Sequence, residues 1–175
     1  GADGAVLIWR EEKVVARWDL DGHITSVAVS SDGSVVAGFW DGRVIFPTAA
    51  PARAVQGHLF GKVRLHLAPG EDAVVSSGDD QTVSLWSLRT AEKTGSLKAP
   101  GLGIKAHRGR ASAIFLSADR VLTGGVPARQ VPALALWDVN SLAMLKTHTF
   151  PPRRHMLQGE GAEYLSGSAD GRTVV

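Results

Sequence analysis

The run Asp80-Gln81-Thr82-Val83-Ser84-Leu85-Trp86 constrains the fold more than any other part of the chain, because its pattern of a tight turn and an alternating strand recurs along the sequence. Asp3-Gly4-Ala5-Val6-Leu7-Ile8-Trp9 spells it first and Asp41-Gly42-Arg43-Val44-Ile45-Phe46 second. Ala133-Leu134-Ala135-Leu136-Trp137-Asp138 follows later, and Asp170-Gly171-Arg172-Thr173-Val174-Val175 closes the chain. A unit that returns at a spacing of about 40 residues points to a repeat architecture.

Between the copies the apolar pattern has period two almost throughout. Residues 24–30 alternate, Ser31-Asp32-Gly33 turns, 34–38 run back, and Asp41-Gly42 turns again into 43–46. Residues 53–55 add an outer strand, which completes a four-stranded antiparallel meander, one blade of a β-propeller. The next copy predicts strands at 62–67, 73–77, 82–86 and 94–97, and a third at 111–116, 120–123, 134–137 and 143–146. A partial copy spans 155–157, 164–166 and 173–175. Twenty Gly and eight Pro, scattered between short apolar runs, favour strands and turns over long helices.

The 175 residues, 44% of them hydrophobic, suffice for a sizeable core. No stretch approaches the roughly 18 apolar residues of a membrane helix, so no membrane insertion is expected. The absence of cysteine excludes disulfides, thiolate metal sites and cysteine catalysis, and it fits a reducing, intracellular and cytoplasmic setting. A net charge of +2 does not by itself argue for nucleic acid.

The repeats resemble the WD-repeat family, and the resemblance covers essentially the whole chain. The family's marks are a Gly-His pair before the innermost strand, a small hydroxyl residue on the second strand, an Asp in the next turn and a Trp ending the third strand. His58, Ser77, Asp80 and Trp86 match all four. The resemblance implies that these side chains hydrogen-bond one another and pin the blade. The other copies are degenerate. His23 and Asp41 belong to a repeat with Pro47 in place of the Trp, and His107 and Trp137 to one without the turn Asp. Residues 105–110, 113–116 and 129–137 are also locally similar to one blade of the coronins, actin-binding WD-repeat proteins.

The fold expected is therefore all-β, a WD-repeat β-propeller segment of about four blades of a larger ring. It divides into a partial blade at 1–19, blades at about 23–56, 58–98 and 107–149, and a partial blade at 153–175. The remaining blades would lie outside this segment.

No catalytic, cofactor-binding or metal-ligating set is expected. The repeat-turn aspartates fall one per blade, whereas paired-carboxylate catalysis needs two within roughly 10 Å. Gly101-Leu102-Gly103-Ile104-Lys105-Ala106 lacks the strand–helix context of a dinucleotide site.

Charge is more informative. In a propeller the loops that enter each inner strand share a face with those joining second to third strands. Lys62, Lys105, Arg108, Arg110, Arg129, Arg153 and Arg154 fall on that face, while the opposite hairpins collect Asp32, Glu71, Asp72 and Asp119. Trp40, which the repeat does not explain, is a candidate anchor on the same face. The expectation is a non-catalytic scaffold for other proteins that meets an acidic partner through the basic loop face. RNA binding in a ribonucleoprotein, or coronin-like filament binding, is the alternative.

Overall fold

The computed structural model describes residues 4–98, 111–125 and 133–149, and within them every regular element is a strand. β1 (Ala5–Arg10) and β2 (Lys13–Asp19) pair as a two-stranded sheet. β3 (Ile24–Val29), β4 (Val35–Phe39), β5 (Arg43–Phe46) and β6 (Arg53–Gln56) form a four-stranded sheet in chain order. So do β7 (Val63–Leu67), β8 (Ala73–Gly78), β9 (Thr82–Ser87) and β10 (Lys93–Lys98). The last four-stranded sheet comprises β11 (Ala111–Ser117), β12 (Arg120–Gly125), β13 (Ala133–Asp138) and β14 (Met144–Thr149). All neighbours are antiparallel, as the short turns between them require. These are the blades of a β-propeller; the partial blade expected at 153–175 lies outside the described residues.

The sheets stack face to face, which explains why second and third strands read as nearly continuous apolar runs. Every residue of β4 is buried. Val36, Val44 and Phe46 of the second sheet pack on Val63, Val74 and Trp86 of the third. On its other side the third sheet presents Val75, Val83 and Leu85 to Ala113, Phe115 and Trp137 of the fourth. A side chain of this size, fully buried, contributes about 1.5–3 kcal/mol relative to exposure.

Polar bonds stitch the innermost strands together. Thr25 Oγ1 on β3 donates to Val63 O of β7 at 2.8 Å and accepts from Val63 N at 3.2 Å. Ser26 Oγ accepts from Leu65 N at 3.1 Å. At the next junction His66 Nδ1 on β7 accepts from Phe115 N of β11 at 3.2 Å.

The first sheet differs. Trp9 ends its strand as Trp86 does, yet it is 61% exposed where Trp86 is 1% exposed. Among the described residues no strand lies along the inner edge of β1. Val27 and Val29 of β3 are exposed, whereas Leu65 and Leu67 of β7 pack on the second sheet.

Candidate functional site

Two sites were legible as candidates, the pinning network inside the blades and the loop face above them. The network is complete in the third sheet. The Trp86 indole N–H donates to Ser76 Oγ at 2.8 Å, and Ser76 lies 2.8 Å from His58 Nε2. His58 Nδ1 lies 2.7 Å from Thr82 Oγ1 and 3.2 Å from Asp80 Oδ1. The Asp80 carboxylate also accepts from Leu59 N at 2.7 Å, Thr82 N at 3.0 Å and the Thr82 hydroxyl at 2.8 Å. Burial pushes the Asp80 carboxyl up, but the bonds from His58, Leu59 and Thr82 outweigh it and hold the group well below the usual carboxylate range. One arrangement of protons satisfies every member: indole to serine, serine to Nε2, and Nδ1–H to the acidic turn. His58 and Asp80 are thus committed to each other and present nothing to a substrate.

Two glycines make room for this network. A Cβ on Gly78 would stand 2.5 Å from His58 Nδ1, and one on Gly57 would stand 3.0 Å from the Trp86 ring. The Gly-His pair is therefore a packing requirement as much as a hydrogen-bonding one.

Two expected members are corrected. The hydroxyl is Ser76, not Ser77. Val74 stands opposite Trp86, and side chains alternate, so the residue two further on, Ser76, shares the tryptophan's face. Ser77 points to the other face, and its buried hydroxyl has no partner among the described residues.

His23 is not a counterpart of His58 either. His23 O accepts from Trp40 N as Lys62 O accepts from Asp79 N, so the backbone register equates His23 with Lys62. Leu20, whose N–H bonds Gly4 O as the Gly57 and His58 N–H groups bond Gly42 O, is the residue that enters the corresponding loop. Leu20 packs on the core that holds Phe39, and Phe39 stands where Gly78 leaves space in the third sheet. No imidazole fits there. Asp41 consequently has Arg43 as its partner, accepting from Arg43 N at 3.1 Å and from Nε at 2.6 Å.

In the fourth sheet the Trp137 indole donates to Thr123 Oγ1 at 2.9 Å, and Thr123 again lies two residues beyond the residue facing the tryptophan. His107 lies outside the described residues.

The loop face is assembled as the strand order dictates. Gly42 O accepts from Gly57 N and His58 N, Asp41 bridges Gly61, and Lys62 N donates to Asp79 Oδ2 at 3.1 Å. Trp40 is 49% exposed there. Its ring stacks on His23, centroids 5.9 Å apart and planes 15° from parallel, and the Lys62 ammonium lies 5.1 Å from its centroid. In the adjoining loop Leu59 is 79% and Phe60 47% exposed. Sequence reading had singled out Trp40 and Lys62 but missed Leu59 and Phe60, whose apolar character sits in a stretch with no strand pattern.

Among the described residues this face is balanced rather than basic. Asp21, Asp41 and Asp79 offset Lys62, Arg43 and Arg64, and Asp79 pairs with Arg64 at 3.1 Å. Lys105, Arg108, Arg110, Arg129, Arg153 and Arg154, on which the expected basic excess rests, lie outside the described residues. No group of three or more His, Cys, Asp or Glu that would hold a metal occurs among the described residues. No helix there is long and apolar enough to cross a membrane.

Stacked four-stranded sheets with a His–Ser–Trp–Asp pin define a repeat protein of the propeller class. A family model described as WD domain, G-beta repeat, matches residues 14–46 and 50–87. Over those residues the chain carries repeats of the WD type. Each match straddles two sheets, 14–46 running from β2 through β5 and 50–87 from β6 through β9. Among curated proteins none matches the chain. Proteins built of these repeats typically act as non-catalytic scaffolds for protein–protein interaction.

Proposed function

We propose that the chain is a rigid interaction platform that binds an acidic protein partner through its loop face, with Trp40 as anchor. The supporting observation is the exposed Trp40, flanked by His23 and Lys62 and bordered by the bare side chains of Leu59 and Phe60. A large aromatic held in place by its neighbours loses little conformational freedom on binding, which is why such residues dominate interface energetics. Lys62 has no carboxylate partner among the described residues, so its charge remains available to an acidic group. Arg108, Arg110, Arg153 and Arg154, which the sequence pattern assigns to loops of the same face, would add to the attraction.

The test is capture of partners by the wild-type chain and by a Trp40→Ala, Lys62→Glu variant, at about 50 mM and about 300 mM salt, a range over which exposed charges become screened. The expected result is an acidic protein lost from the variant and weakened by salt. Identical capture by both would overturn the proposal. A retained species that is sensitive to nuclease would favour RNA instead, and co-sedimentation with filaments the cytoskeletal reading.

A further inference from the structure

The junctions between sheets use chemically different links. Between the second and third sheets the links are the hydroxyls of Thr25 and Ser26. Between the third and fourth, His66 Nδ1 accepts the Phe115 N–H. A hydroxyl can accept a hydrogen bond at any pH. An imidazole nitrogen accepts only while it carries no proton, so this bond requires the neutral ring with its hydrogen on Nε2. Imidazolium would set a second N–H against the Phe115 N–H.

Little else on the described strands around His66 titrates. The strands packed closely against β7, namely β3, β4, β8 and β11, contain no charged or titratable side chain. On β7 itself Arg64 is charged, and it pairs with Asp79. Partial burial pushes the His66 imidazole below its ordinary value, against an opposing hydrogen bond with the Leu67 backbone.

We propose that the junction between the third and fourth sheets is a pH-sensitive hinge, closed while His66 is neutral and loosened when it takes a proton, whereas the junction held by Thr25 and Ser26 is indifferent to pH. The sign follows from linkage. Below about pH 6.5 an opened junction binds a proton that the closed one does not, so acid favours opening. A single proton sets the ceiling at about a tenfold rise in the opening equilibrium per pH unit.

Hydrogen exchange of the whole chain at about pH 7.5 and about pH 5.5, corrected for intrinsic exchange, tests this. Protection in β11 to β13 should fall by up to about tenfold per unit below pH 6.5, while β3 to β5 hold theirs. His66→Asn, which keeps an acceptor oxygen near the Nδ1 position without titrating, should make the fourth sheet's protection flat with pH. A uniform acid response, or one that survives His66→Asn, would overturn the hinge. Should that variant fold poorly, nitrogen NMR of the wild-type ring decides alone. A hydrogen on Nε2 at neutral pH supports the proposal, and one on Nδ1 sinks it.

Discussion

The second and third sheets have the same strand order and nearly the same turns, yet they are pinned by different physics. In the third sheet a glycine at position 78 leaves a pocket that His58 enters, and a buried polar chain runs from Trp86 to Asp80. In the second, Phe39 fills the equivalent space, Leu20 covers it, and Asp41 is left at the surface with Arg43, whose guanidinium sits 4.8 Å from the Phe39 ring centroid. A single choice between glycine and phenylalanine decides which network forms. Degeneracy of the repeat at His23 and Pro47 is therefore a coherent apolar alternative to the polar pin rather than an erosion of it.

Substitutions at the two pins should break or sharpen this contrast. The largest effect is expected from Trp86→Ala, which empties a fully buried ring and orphans Ser76; it should cost about 3–5 kcal/mol in denaturant unfolding. A cost near that of an exposed position would mean that Trp86 does not pin the blade.

Next, Asp80→Ala should cost about 2–3 kcal/mol and Asp41→Ala less than about 1 kcal/mol, because the first removes a buried acceptor of four bonds and the second an exposed ion pair. Equal costs would erase the distinction between the sheets. The Asp80 contribution also has a pH signature. Its folded carboxyl titrates below the unfolded one, so the stabilisation is full above about pH 4 and declines as pH falls below that value. Asp80→Asn should flatten that part of the acid-unfolding profile.

Ser76→Ala should cost about 1–3 kcal/mol by stranding the Trp86 and His58 nitrogens, while Ser77→Ala should be close to neutral or stabilising because its hydroxyl is already unpartnered among the described residues. The reverse order would restore Ser77 to the network. The smallest effect belongs to His23→Ala, within about 0.5 kcal/mol for an exposed side chain. That substitution should still shift the fluorescence of Trp40, on which His23 stacks.

Much of this was legible because period-two alternation and turn residues are local signals. The strands around Val35, Val74 and Leu134 lie where the alternation places them, and His58, Asp80 and Trp86 meet as the family resemblance implies. Ser76 was also within reach, since the hydroxyl must share a face with the residue opposite Trp86, but two adjacent serines hide a shift of one. His23 was not within reach from its neighbours. Its environment is decided by Phe39, sixteen positions away in sequence and adjacent across the sheet at Ile24, so only the pairing register reveals that the pocket is filled. On the loop face, Leu59 and Phe60 carry no period at all; what exposes them is the turn geometry around Asp80, which accepts the Leu59 N–H.

The offset between matched repeat and folded sheet has a consequence for how such a chain can change length. Each matched unit carries the outer strand of one sheet and the three inner strands of the next. Excising 14–46 would remove β2 to β5 and bring β6 to the place beside β1 that β2 had occupied. The splice would heal itself, with every retained strand still offered a neighbour of the right kind. A unit cut at sheet boundaries would carry no such overlap. Gain or loss of whole repeats is thus a change of number that leaves the hydrogen-bonded edges matched, like adding a link to a chain whose links already interlock.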